Sequence, residues 1–231
     1  MIWALHGAFQ SGALWEPLRR CLPPGSLLET PCLWDMPGES LAGWARRFCL
    51  HVRQSDDRPI LAGYSLGGRL ALHALCDSPD LWKGGVVISA HPGFADARAR
   101  SRRLRADGVW LEKFRTAPWP DFLDAWGNRP ALRSSQAATA AVPRRFGRMA
   151  RALDAWSLGR QEDLRPRLSN ISFPVFWLVG EKDGKFVRLA EQAVQRLPLG
   201  RLRIVEGCGH RVPIERPDAI AQALEEAMES V

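Results

Sequence analysis

From residue 2 to about 94, short apolar runs alternate with stretches whose apolar residues recur at helical spacing. The runs at 2–5, 26–29, 59–63 and 85–90 have strand length, whereas 41–54 and 66–77 gather apolar side chains on one helical stripe. Such alternation predicts a parallel sheet covered by helices, because parallel strands need crossover connections. From about 95 to 170 the strand signal disappears, and helical patterns around 99–115, 120–126 and 145–157 are punctuated by Pro118, Pro120, Pro130 and Pro143. The strand signal returns at 174–179 and 202–205, with helices near 186–197 and 217–229. The pattern predicts one domain, its core formed by 1–94 and 171–231, with a helical cap inserted at about 95–170.

Composition narrows the class without changing that picture. A chain of 231 residues, 46% of them hydrophobic and 25% charged, suits one large α/β domain with a substantial core. No uncharged apolar stretch reaches the length of a membrane span. The first residues, Met1-Ile2-Trp3-Ala4-Leu5-His6, read as a strand entering a turn and not as a signal peptide. Five scattered cysteines without CxxC spacing argue against a disulfide framework or a zinc site and fit a reducing cytoplasm. Cys208 reads as a small packing residue. No metal or cofactor fingerprint is present.

The net charge of +7 raises the question of an anionic partner. The densest basic run, Arg98-Ala99-Arg100-Ser101-Arg102-Arg103-Leu104-Arg105, carries no nucleic-acid-binding signature, and most of it reads as a solvated helix face. The expected partner is an anionic small molecule, with neither nucleic acid nor membrane involved.

The chemistry begins at Gly63-Tyr64-Ser65-Leu66-Gly67-Gly68, a G-x-S-x-G motif between an apolar run and a helix. A tight strand-to-helix turn exposes the serine oxygen and needs small flanking residues. No Gly-Lys-Ser/Thr follows, which sets aside a phosphate loop. In the fold built on such an elbow, the acid and the histidine follow the serine in that order. Asp183 lies just past the 174–179 run in Gly180-Glu181-Lys182-Asp183, with Glu181 and Glu206 as rivals. His210 lies in a glycine-rich turn beyond the last strand, while His51 and His73 fall within helices and read as structural. Ser65, Asp183 and His210 are therefore the candidate catalytic triad. The backbone N–H groups of Leu66 and Ala8 are the candidate oxyanion hole. His6 reads as a structural hydrogen-bonding residue. Together these features predict an α/β-hydrolase fold. Its usual N-terminal antiparallel hairpin has no counterpart before residue 2, so about six mostly parallel strands are expected, with helices on both faces.

Several segments resemble the family of 2-succinyl-6-hydroxy-2,4-cyclohexadiene-1-carboxylate (SHCHC) synthase, a menaquinone-pathway enzyme. They are His6-Gly7 with Trp15, the elbow extended to Arg69, His91-Pro92-Gly93-Phe94, Gly180-Glu181-Lys182-Asp183-Gly184-Lys185-Phe186 and Gly209-His210. Arg103, Asp107, Trp110, Phe114, Phe122, Trp126 and Pro130 extend the likeness through the cap. The resemblance implies elimination of pyruvate from a polycarboxylate cyclohexene substrate, with the triad acting as a base. It assigns Tyr64, Arg69, Arg103 and Trp126 to substrate binding, with a third arginine near Arg144 or Arg145. Where many relatives carry Leu-Pro-Gly-His-Gly, this chain has Leu33-Trp34-Asp35-Met36-Pro37-Gly38-Glu39, so that side of the entrance is rebuilt. The alternative is a carboxylesterase or thioesterase forming an acyl-enzyme on Ser65.

Overall fold

The computed structural model describes residues 1–36, 39–54, 58–129, 132 and 146–229. Six parallel strands form one sheet: β1 (Ile2–Leu5), β2 (Leu28–Glu29), β3 (Ile60–Tyr64), β4 (Gly84–Ile88), β5 (Val175–Gly180) and β6 (Gly200–Val205). Their order is β2-β1-β3-β4-β5-β6, so the chain reverses direction across the sheet between β1 and β3. Ligand crevices of open α/β sheets lie outside the carboxyl ends of strands at such a reversal.

The period of two along each strand divides the core. Trp3, Leu5, Leu61, Val175, Trp177 and Val179 face one side, where α2 (Leu41–Val52), α3 (Leu66–Asp77) and α7 (Gly184–Val194) pack. Ile2, Ala4, Ile60, Ala62, Phe176 and Leu178 face the other, covered by α1 (Glu16–Cys21), the short α8 (Val212–Glu215) and α9 (Pro217–Glu229). Near-continuous apolar runs mark the central strands because both faces are buried.

Several bounds shift by one to three residues, β4, β6 and α7 among them, and the short α8 has no counterpart in the sequence pattern; two differences have a clear cause. The strand expected at 26–29 contracts to Leu28–Glu29 because it pairs on one side only, with β1, while Ser26 N–H donates to Pro23 O in a turn. The helix α1 escapes the periodicity because six residues opened by Glu16-Pro17 are too few to show a stripe.

Between β4 and β5 run α4 (Ala97–Thr116), α5 (Trp119–Gly127) and α6 (Phe146–Ala155). The Asp96 carboxylate caps α4 by accepting from Arg98 N and Ala99 N. Phe9, from the loop after β1, inserts among these helices, its ring 4.8 Å from Phe122 and 4.7 Å from Trp126. The helical segment is thereby packed over the carboxyl ends of β1 and β3.

Candidate active site

Ser65 sits between β3 and α3 at φ 53° and ψ −106°, a strained backbone conformation for a residue with a side chain. Its N–H is held by Ile88 O at 2.9 Å. The turn closes only because α3 starts against β1: a side chain on Gly67 would strike the carbonyl oxygens of Leu5 and His6. Close packing thus forces the serine outward.

Asp183 and His210 come from the turns after β5 and β6, and a second glycine brings these turns together. A side chain on Gly180 would collide with the backbone carbonyls of Cys208 and Gly209. The result is a continuous chain of hydrogen bonds. His210 Nδ1 lies 2.5 Å from Asp183 Oδ2, and His210 Nε2 lies 3.2 Å from Ser65 Oγ. Asp183 and His210 are both buried. With Asp183 ionised, Nδ1–H donates to the carboxylate and Nε2 is left to accept the Ser65 proton. The rival Glu181 is exposed and accepts from Gly207 N at 2.9 Å, bracing the turn that carries His210. Glu206 is exposed as well.

The candidate oxyanion donors flank the serine. Leu66 opens α3, where first-turn N–H groups have no intrahelical acceptor, and Ala8 lies in the loop after β1. Both residues line the same cavity as Ser65, a volume of about 650 Å³. His6 fixes the Ala8 loop: Nδ1–H donates to Gly7 O at 2.8 Å and Nε2 accepts from Leu33 N at 3.1 Å. Burial lowers the His6 pKa to about 4, which keeps the ring neutral in that role.

The cavity wall includes Tyr64, Arg69, Arg103 and Trp126. Arg69 is buried, not solvated: Nε donates to Gln161 Oε1 at 2.5 Å and Nη2 to Trp156 O at 2.7 Å. Both partners are neutral, and burial, with Arg103 nearby, pulls its pKa down to about 9. Arg103 leaves the solvated face of α4 and pairs with Asp107 at 2.7 Å, whereas Arg98, Arg102 and Arg105 are exposed as the charge run predicts. The expected third arginine, Arg144 or Arg145, lies outside the described residues.

Sequence reasoning missed several residues on this wall. Arg129 and Lys185 line the cavity, and burial lowers the pKa of each. Lys185 was findable, since it stands two residues after Asp183 on the turn that aims the acid into the site. Arg129 follows α5 in a loop and carried no local signal. His91 accepts from Gly93 N through Nδ1 at 3.0 Å, so its Nε2 carries the proton of the neutral ring. Among the described residues, Arg69, Arg129 and Lys185 have no carboxylate partner. Three cations without a carboxylate partner among the described residues give this wall a positive potential.

The model of the alpha/beta hydrolase family matches residues 4–223. The chain belongs to that family. Within it, the chain is 36% identical over 170 residues to 2-succinyl-6-hydroxy-2,4-cyclohexadiene-1-carboxylate synthase of Salmonella paratyphi A (strain ATCC 9150 / SARB42). That match covers 71% of this chain and 66% of the relative, just under two thirds of its length. The synthase of Salmonella schwarzengrund is 35% identical over the same shares. The structure of MenH from S. aureus superposes with a TM-score of 0.89 at 20% identity, covering 99% of this chain and 92% of the other. A malate-bound thermophilic esterase from Thermogutta terrifontis superposes at 0.77 with 19% identity, covering 99% and 89%. These two likenesses, each below 25% identity, show the fold alone. Among alpha/beta hydrolases, only the site can separate such chemistries.

Proposed function

We propose that this alpha/beta hydrolase is a lyase of the SHCHC synthase kind, eliminating pyruvate from a polycarboxylate cyclohexene substrate. The observation that carries the reading is the trio of cations, Arg69, Arg129 and Lys185, without a carboxylate partner among the described residues, on the cavity that holds Ser65 and His210. An acetyl or simple acyl ester has no need of them. The product named for the Salmonella relatives bears a succinyl group and a ring carboxylate, and so carries the matching charge.

In this mechanism Ser65 and His210 remove a carbon-bound proton from the ring, and Asp183 steadies the imidazolium that forms. The electron pair of the broken C–H bond is first held as an enolate on the adjacent carbonyl oxygen, and it forms the new ring double bond only as the C–O bond is lost and that bond's pair leaves with the oxygen. The ring C–O bond then breaks, and the departing group recovers a proton from His210 and leaves as pyruvate. Leu66 and Ala8 N–H stabilise the oxyanion that develops during proton removal. Arg69 and Arg103 bind carboxylates, and Tyr64 and Trp126 shape the walls. The helices between β4 and β5 act as a cap that excludes water. Among the described residues no cysteine is joined in a disulfide, which accords with a cytoplasmic setting.

The test is spectroscopic. Purified protein is mixed with the synthase substrate generated in situ, and pyruvate release is followed through a coupled dehydrogenase. Release far above the buffer rate is expected. A rate equal to buffer, with brisk turnover of p-nitrophenyl acetate, would instead identify an esterase working through an acyl-enzyme on Ser65.

A further inference from the structure

Arg129 lines the cavity from the chain just after α5, whereas Arg69 belongs to the core helix that follows Ser65. The Arg129 guanidinium carbon sits 4.2 Å from the Trp126 ring centroid and 5.2 Å from that of Trp110. The two indoles stand nearly perpendicular, 88° apart, and form a corner that receives the cation. Stacking of this kind engages the π-face of a guanidinium and leaves its in-plane N–H groups available. Those in-plane groups are the fork that binds a carboxylate bidentately. Arg129 is half-buried and, among the described residues, has no acidic partner to occupy the fork. Its one strong electrostatic neighbour of opposite sign, Asp107, is already engaged by Arg103, Ser157 Oγ and Leu158 N.

We propose that Arg129, set in the Trp110–Trp126 corner, is a carboxylate-docking residue separate from Arg69 that makes the site prefer ligands with two carboxylates over ligands with one. The inference rests on the anionic-substrate reading above and names the group that selects for the second charge. Arg69 holds one carboxylate near the elbow, and Arg129 holds the other beneath the helical segment. A ligand that bridges them ties the segment to the core.

The test needs no turnover. Binding of glutarate, adipate and suberate is measured by calorimetry against monocarboxylates of equal chain length. Wild-type protein should bind the best-fitting diacid about tenfold or more tightly than its monoacid. Arg129→Met should abolish that preference while leaving monoacid affinity within about twofold, whereas Arg69→Met should weaken both. Should Arg129→Met fail to fold, Arg129→Lys keeps the charge without the fork, and a reduced diacid preference there supports the proposal. A wild-type protein without diacid preference, or a variant that retains it, overturns the proposal and leaves Arg129 a brace for the two indoles. A diacid preference lost in Arg129→Met but unaccompanied by pyruvate release would sink the elimination reading and leave this one standing.

Discussion

Arg69 Nε donates to Gln161 Oε1 at 2.5 Å, and Gln161 Nε2 in turn donates to His91 O at 3.0 Å. Gln161 is fully buried and 92 residues away in sequence, so one amide ties the elbow helix to the segment before β5 and to the loop after β4. The amide fixes the direction of the guanidinium without cancelling its charge. Replacing it by Glu should cancel that charge: Gln161→Glu is expected to raise KM for an anionic substrate at least about tenfold, and it also removes the N–H donated to His91 O. Gln161→Leu should leave the Arg69 Nε donor and the His91 O acceptor unpaired and cost about 1–3 kcal/mol in urea unfolding. Unchanged KM in the first variant and unchanged stability in the second would show that the amide does not position Arg69.

The hydrogen-bonded chain of Ser65, His210 and Asp183 predicts strongly non-additive losses. Ser65→Ala and His210→Ala should each lower kcat by about 10³-fold or more, and the double variant should be little worse than either single one. Steady-state kinetics with a melting curve for each variant checks this. Multiplicative losses would show that the two side chains act independently.

The close approach of α3 to β1 predicts opposite outcomes for two glycines. Gly67→Ala drives a methyl group into the Leu5 and His6 carbonyls and should cost at least about 2 kcal/mol. Gly108, on the exposed surface of α4, has open space where a methyl group would sit, with no neighbouring atom within 4 Å. Gly108→Ala should therefore stabilise by about 0.5–1 kcal/mol. Chemical denaturation of both proteins decides the matter, and a tolerated Gly67→Ala would refute the packing argument.

Three buried histidines predict acid sensitivity. Burial lowers the pKa of His6 and His73 from 6.5 to about 4, with Arg69 adding to the effect at His73, and burial with Lys185 nearby lowers His91 to about 3. Folded, these rings stay neutral; unfolded, they take up protons below about 6.5, so the unfolded state binds more protons across that window. Stability should therefore fall as pH drops from about 6.5 toward 4, by up to about 1.4 kcal/mol per unit for each ring. Urea titrations at several pH values measure the slope, and His73→Gln should reduce it. A protein equally stable across that range would contradict the burial effect.

Much of this is legible in the chain. The periodicity places the helices 66–77 and 217–229 to the residue, because long amphipathic stripes are set by the local period of the sequence. Ser65 and His210 are legible for another reason, since a tight turn tolerates few residue types. Edges are less so: β2 shrinks to two residues because strand length at a sheet margin depends on the neighbour it finds.

The cavity wall is the least legible part. Nothing local marks Arg129 or Gln161, whose roles depend on an indole corner and on a helix far away in sequence. By itself the sequence determined the strand–helix alternation, the elbow and the order of serine, acid and histidine, all of which follow from local period and turn chemistry. Only the tertiary structure decided which arginines surrender their water to the cavity and which stay on the surface, because burial and counter-charge are properties of segments brought together by folding.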